Sequence, residues 1–256
     1  MNIRILGAHN IESADTGFTS IIIDDVLAVD AGALTSRLTF TQQQKLKTVL
    51  LTHQHYDHIR DIPAIGMNFY LFEKTLDIYA APPVREILSA HLLNDVLYPN
   101  FLEKPPEKPA LRFNTIEPGK VATIAGYQVL PVTVNHAVTT VGYQIALPDG
   151  KKVFITSDTG PGLADVWRQV SPDLLIIELT LLNKQDAFAH KSGHLTPALL
   201  QKELESFYSL KSYLPQVVLM HVNPLDEKEI KAEIRVVEKA LKTKIRFSRE
   251  GMTIKL

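Results

Sequence analysis

His53-Gln54-His55-Tyr56-Asp57-His58 is the stretch on which the reading of this chain turns. Three imidazoles and a carboxylate within six residues suit a metal centre, because clustered histidine serves chiefly as metal ligand or acid–base group. The plainer reading is a solvated polar turn before a helix, with Asp57 as a cap. The stretch follows Lys47–Thr52, which reads as a buried strand, so the cluster is expected at a strand end. His53 and His55 can face one ion if the turn stays extended, leaving Asp57 and His58 for a second.

Six residues cannot complete two metal shells, and further donors follow other strand-like runs. Asn135-His136 follows the run ending at Val134, Ser157-Asp158 follows Lys152–Thr156, and His221 follows Gln216–Met220. Each is a weak signal alone, but each puts one imidazole or carboxylate at the carboxyl end of a strand. Among 256 residues there is no cysteine, so thiolate ligands, disulfides and a cysteine nucleophile are excluded and any metal falls to histidine and carboxylate.

The bulk composition, 45% hydrophobic and 21% charged, is that of a globular protein with ample core material. A net charge of −1 makes no electrostatic case for nucleic acid or an anionic membrane as partner. It does not exclude a phosphate substrate, because bound metal would supply local positive charge. Met1–Gly7 is too short for a signal-peptide core, and no run approaches the roughly 18 apolar residues of a membrane span. A cytoplasmic protein is the expectation.

Strands are expected at Ile3–Leu6, Ser20–Ile23, Val26–Val29, Asp77–Ala80, Tyr127–Val134, Val141–Leu147 and Leu174–Glu178, with Asp24-Asp25 turning a hairpin. Helical spacing marks Ile59–Phe72 and Val84–Leu97. Thr196-Pro197 starts a helix to about Tyr208, and Ile230, Ile234, Val237 and Leu241 form one face of a C-terminal helix. Tyr98–Pro118 carries five prolines and reads as a long surface excursion: a connector, or else a lid or dimer contact. Two strand-rich halves, each finished by helices, predict a β-sandwich flanked by helices, with residues 1–256 as a single domain. His9, in the loop after the first strand, reads as a surface histidine or else as a residue near the site. His190, in a loop with Lys191-Ser192-Gly193, is a candidate phosphate contact or a plain surface residue.

The order His-x-His-x-Asp-His, His, Asp, His resembles the metallo-β-lactamase superfamily over most of the chain. That resemblance implies an α/β fold, the αβ/βα four-layer sandwich with its metal site at one edge. It assigns His53, His55 and His136 to a first divalent metal ion and Asp57, His58 and His221 to a second, with Asp158 bridging both. Zinc is the default ion; manganese or iron stay open, since the ligand types do not choose among them. The presence of His58 together with Asp158 disfavours the iron reductase and dioxygenase branches. The absence of cysteine disfavours lactamases with a cysteine ligand.

Within the superfamily, Phe154–Pro161 and His53–Ile59 are similar to motifs of the class II cyclic-nucleotide phosphodiesterases, although Tyr56 stands where leucine is more usual. Val29-Asp30-Ala31-Gly32 resembles that family's early strand and turn, and is equally a good turn sequence. Glu178 and Gly193-His194-Leu195-Thr196 resemble the glutamate and histidine–threonine motif of phosphodiesterase branches, ribonuclease Z included. There the pair assists protonation of the leaving oxygen, which implies catalytic roles for His194 and Glu178 beside Asp57. The implied function is hydrolysis of a small phosphodiester, foremost a 3′,5′-cyclic nucleotide, by a hydroxide held between the ions. A lactone, carboxylic-ester or thioester hydrolase and a nuclease of the ribonuclease Z type are the alternatives. The Gly-Glu-Gly-Thr-Gln stretch of ribonuclease Z is missing, as is a basic exosite arm. The resemblance also suggests a homodimer.

Overall fold

The computed structural model describes residues 1–147 and 150–256. Fourteen strands are defined among them. β1 (Asn2–Gly7), β2 (Ser20–Ile23), β3 (Leu27–Val29), β4 (Thr48–Leu50), β5 (Leu76–Ala80) and β6 (Leu111–Thr115) come from the first half. β7 (Ala122–Ile124), β8 (Tyr127–Thr133), β9 (Val141–Ala146), β10 (Lys152–Ile155), β11 (Leu174–Glu178), β12 (Gln216–Met220), β13 (Ile245–Phe247) and β14 (Thr253–Lys255) follow. They form two seven-stranded sheets, in the orders β14-β1-β2-β3-β4-β5-β6 and β13-β12-β11-β10-β9-β8-β7.

Each sheet is antiparallel on one side and parallel on the other. β1, β2 and β3 pair antiparallel, whereas β3 to β6 run parallel through helical crossovers. In the second sheet β7 to β10 are antiparallel and β10 to β13 parallel. Parallel neighbours aim their carboxyl ends the same way, which is how loops distant in sequence come to share one rim.

Strand alternation sorts the core into three layers. Ile21, Ile23, Val153, Ile155, Val218 and Met220 belong to the cluster between the sheets. Their neighbours Ile22 and Ala28 face the helices Ile62–Leu71 and Pro82–Ile87, while Phe154, Val217 and Leu219 face the helices Pro197–Lys211 and Glu227–Leu241. The expected αβ/βα sandwich is therefore what the period-two pattern builds. The Asp24-Asp25 hairpin is real: Ile23 pairs with Leu27, and both aspartates in the turn between them have positive φ (48° and 60°).

The Pro-rich excursion needs correction. Its last third forms β6, the edge strand of the first sheet, and Phe101 and Leu111 are buried against the helix Ile62–Leu71. A Cβ on Gly66 of that helix would stand 2.8 Å from the Phe101 ring. Proline is compatible with a segment that reaches only a sheet edge, and charged residues on the open side hid the strand. Val84–Leu97 is helical only to Leu92, its second part being a π-helix. β13 and β14, three residues each, were too short to carry a periodic signal.

Candidate metal centre

Every donor singled out in the sequence lies just beyond a strand's carboxyl end. His53 and His55 follow β4; Asp57 and His58 open the short helix Tyr56–Ile59; His136 follows β8, Asp158 β10 and His221 β12. Two of these exits and that of β3 share one strained conformation: Asp30 after β3, Ser157 after β10 and His221 after β12 have φ near +60°. A left-handed turn costs a non-glycine residue about 1–2 kcal/mol, held here by the surrounding bonds. The His221 amide, for instance, donates to the Ala8 carbonyl at 2.7 Å.

The seven donors converge around one buried carboxylate. Asp158, 2% exposed, has Oδ2 at 3.7 Å from His53 Nε2, 3.8 Å from His136 Nε2 and 3.5 Å from His221 Nε2, and Oδ1 at 3.4 Å from His58 Nε2. Two sets share it: His53, His55, His136 and Asp158, and Asp57, His58, Asp158 and His221, the donor atoms of each lying within 4.8 Å of one another. Within the sets, Asp57 Oδ2 stands 3.0 Å from His221 Nε2, and His136 Nε2 stands 3.2 Å from His55 Nδ1. These are the residues that the resemblance assigns to two ions, with Asp158 common to both groups.

The donor set fits metal ions on two further grounds. His53 Nε2, His58 Nε2 and Asp158 Oδ1 are buried without a hydrogen-bond partner, and such orphans are rare unless a ligand completes them. The charges also call for a cation. Burial opposes a charge on His58, yet Asp158, Asp30 and Asp57 together raise its pKa well above the ordinary value. Burial likewise opposes ionisation of Asp158, and His221 and His58 override it, holding the carboxyl well below its usual range. Burial lowers His136 to about 4, so that ring is neutral, as a ligand must be.

Behind the donors, hydrogen bonds aim the rings. Asp30, 1% exposed, accepts from His58 Nδ1 at 2.7 Å and from the Thr52 amide and hydroxyl at 2.9 Å. Thr52 Oγ1 in turn stands 3.1 Å from His53 Nδ1 and accepts from Ser157 Oγ at 2.7 Å. His136 Nδ1 donates to the Gly193 carbonyl at 2.8 Å. Gly193 has φ +71°, and a Cβ there would lie 2.8 Å from His136 Cα, so a side chain would push the ring-bearing loop away. Glu203 steadies the loop after Asp158, accepting from the amides of Gly162 and Leu163 and from Trp167 Nε1.

His194 stands at the edge of the cluster. Its ring stacks on His221 at 5.5 Å between centroids and meets His136 edge-on at 5.1 Å, and its Nδ1 is 3.3 Å from Glu178 Oε1. Burial disfavours the imidazolium, but the Glu178 carboxylate overrides that and raises His194 to about 9. Glu178, His194 and His221 also form a third set with donor atoms within 4.8 Å. His190 sits apart, exposed on the helix Asp186–Ser192 and 3.8 Å from Asp186.

His9 does not lie on the surface: it is 7% exposed, with Nδ1 2.8 Å from Glu250 Oε1. Glu250 also accepts from the amides of Ala8 and Gly17, closing the N-terminal loop against the C-terminal hairpin. Sequence reading passed over Asp30, Thr52, Thr180 and Glu250 as site residues. Only Asp30, in its Val-Asp-Ala-Gly turn, carried any signal, while the threonines and Glu250 acquire partners through the fold alone.

Comparison with known proteins agrees with this fold. The family described as the Beta-lactamase superfamily domain matches residues 19–222. The 3′,5′-cyclic-nucleotide phosphodiesterase 1 of Saccharomyces cerevisiae is 27% identical over 208 residues, 70% of this chain and 55% of that protein, so the chain spans about half the length of this relative. Among solved structures, unliganded yeast PDE1 superposes with a TM-score of 0.86 at 19% identity, covering 100% of this chain and 99% of that one. YhfI, a metallo-beta-lactamase fold protein of Bacillus subtilis, gives 0.79 at 18% over 99% and 98% of the two chains. The short form of human tRNase Z gives 0.69 at 18% over 100% and 99%. The chain belongs to the metallo-β-lactamase superfamily.

Proposed function

We propose that this superfamily hydrolase is a binuclear, metal-dependent phosphodiesterase acting on a small phosphodiester, in the first place a 3′,5′-cyclic nucleotide. The observation that carries the reading is the Glu178–His194 pair, an imidazole raised to about 9 beside the seven donors. Such a group is an acid suited to a leaving alkoxide, which must gain a proton as the P–O bond breaks. The name of the yeast relative, a cyclic-nucleotide phosphodiesterase, supports the same substrate class.

Zinc, with manganese or iron as substitutes, held by His53, His55 and His136 and by Asp57, His58 and His221 with Asp158 between, would neutralise phosphoryl oxygens and lower the pKa of a water from about 16 toward 7. The remaining chemistry belongs to the side chains. Asp57, with 23% of its side chain exposed, reaches from the cluster toward solvent and orients the attacking water. His194, its Nδ1 turned to Glu178, presents Nε2 to the departing oxygen and gives up that proton. Glu178 stabilises the imidazolium until transfer. One P–O bond forms and one breaks, leaving a phosphomonoester and a free hydroxyl.

The proposal keeps the one-domain organisation, the cytoplasmic setting and the homodimer suggested by the resemblance. Among the described residues no helix is long and apolar enough to cross a membrane. The test is hydrolysis of bis(p-nitrophenyl) phosphate and 3′,5′-cyclic AMP by zinc- or manganese-loaded protein, with a lactone and a thioester alongside. Phosphodiester turnover that a chelator removes and metal restores is the expected result. Turnover of the esters alone would overturn the phosphodiesterase reading.

A further inference from the structure

Thr180 is buried, 4% exposed, and none of the chemistry above uses it. Its Oγ1 lies 2.8 Å from Glu178 Oε2 and 2.8 Å from His221 Nδ1, with the His221 carbonyl at 3.1 Å. A hydroxyl has one proton to give and two lone pairs. The Glu178 carboxylate only accepts, and it is closer and more strongly attracting than the carbonyl, so the proton goes to Glu178. A lone pair of the same oxygen then faces His221 Nδ1 and takes the N–H from that nitrogen. His221 Nε2 is left to face Asp57 Oδ2 at 3.0 Å and Asp158 Oδ2 at 3.5 Å.

The other half of the molecule carries the same device. Thr52 donates to Asp30 and stands against Nδ1 of His53, whose Nε2 points at Asp158. Two buried carboxylates thus each reach one imidazole directly and a second through a threonine hydroxyl.

We infer that Thr180 is a positioning residue that holds His221 as its Nδ1–H tautomer, so that Nε2 is presented to the second metal ion, and that it ties this ligand to the Glu178–His194 pair. The inference rests on the reading of His221 as a metal ligand. It does not depend on the substrate. Bonds of this kind typically contribute tenfold to a hundredfold in metal affinity.

The experiment compares the wild type with Thr180→Val, which keeps the shape and removes the hydroxyl, and Thr180→Ser, which restores it. Zinc affinity is read by competition with a chromophoric chelator, and histidine tautomers by 15N-imidazole NMR of the zinc-loaded proteins. Expected are two zinc ions in the wild type, one bound roughly tenfold to a hundredfold more weakly in Thr180→Val, and recovery in Thr180→Ser. The wild-type spectrum should contain a slowly exchanging Nδ1–H resonance assigned to His221, lost in the valine variant. Wild-type affinity for both ions in Thr180→Val overturns the inference, and so does an Nε2–H tautomer of His221 in the wild type, a result that requires no variant to fold. Weakened zinc binding in a protein that hydrolyses no phosphodiester leaves Thr180 in place and removes only the substrate reading. A wild type that binds no zinc removes both.

Discussion

The two halves of the sandwich solve one problem with the same parts and leave different groups free. In the first half Asp30 serves His58 directly at 2.7 Å and His53 through Thr52, and both rings are fully buried and aimed at Asp158. In the second half Glu178 serves His221 through Thr180 and stands 3.3 Å from His194, whose side chain is 16% exposed. The direct partner in the first half points into the group of donors, whereas in the second it sits on the rim, stacked on His221. The lesson is that a carboxylate beside an imidazole does not define a role. On the proposed roles, what the other ring nitrogen faces separates a ligand from a proton donor. The His9–Glu250 pair is the control: its contact, 2.8 Å, is closer than that of Glu178 with His194, yet it belongs to none of the donor sets and locks a loop.

The largest effect should come from removing the group both halves share. Asp158→Ala is expected to abolish turnover and to reduce bound metal from two ions to one or none, measured by elemental analysis of the dialysed protein. Near-normal turnover would break the assignment at its centre. The next tests the rim. His194→Ala should lower turnover by roughly 10²–10⁴-fold with metal content unchanged. Loss of an ion would instead make His194 a ligand, as the third donor set allows, and would erase the difference between the halves.

Asp30→Asn addresses the first half. Its amide would present a donor where Asp30 accepts from His58 or from Thr52, and metal affinity should fall about tenfold to a hundredfold, read by chelator competition. An unchanged affinity would show that the first-half carboxylate does not aim its ligands. Glu250→Gln should have the smallest effect. Burial opposes the Glu250 charge, but His9 and the amides of Gly17 and Ala8 hold its pKa down to about 2, below the ordinary 4.5. The stabilisation is therefore fully present above pH 4.5 and is lost as the pH falls through that window toward 2. Thermal melts of the variant between pH 6 and pH 3 should show a flatter decline, with Tm at pH 6 lowered by about 2–4 °C per kcal/mol lost. An identical pH dependence would remove Glu250 from the account.

Much of this molecule was legible along the chain. The donors are adjacent in sequence or sit directly after β-branched runs, so a local pattern was enough to find His53, His55, Asp57, His58, His136, Asp158 and His221. β10, β11 and β12 are buried on both faces and read as continuous apolar runs, which made them easy to place. Edge strands were not, because β6 needs an apolar side chain on one face only and β14 spans three residues. The Pro-rich stretch concealed β6 by composition, although Phe101 packs as firmly as any helix residue beside it.

What the sequence by itself determined is the chemistry: no thiol, a histidine and carboxylate donor set, and strand ends to carry it. Those follow from residue type and short-range periodicity, which survive without knowledge of the fold. What only the tertiary structure decided is which nitrogen of each ring is free. That depends on partners as far apart as Asp30 and His58, Glu178 and His221, or Gly193 and His136, brought within 3 Å directly or through one hydroxyl. A tautomer is set by the neighbour on the other side of the ring, and no spacing along a chain encodes a neighbour that arrives on the loop of another strand or helix.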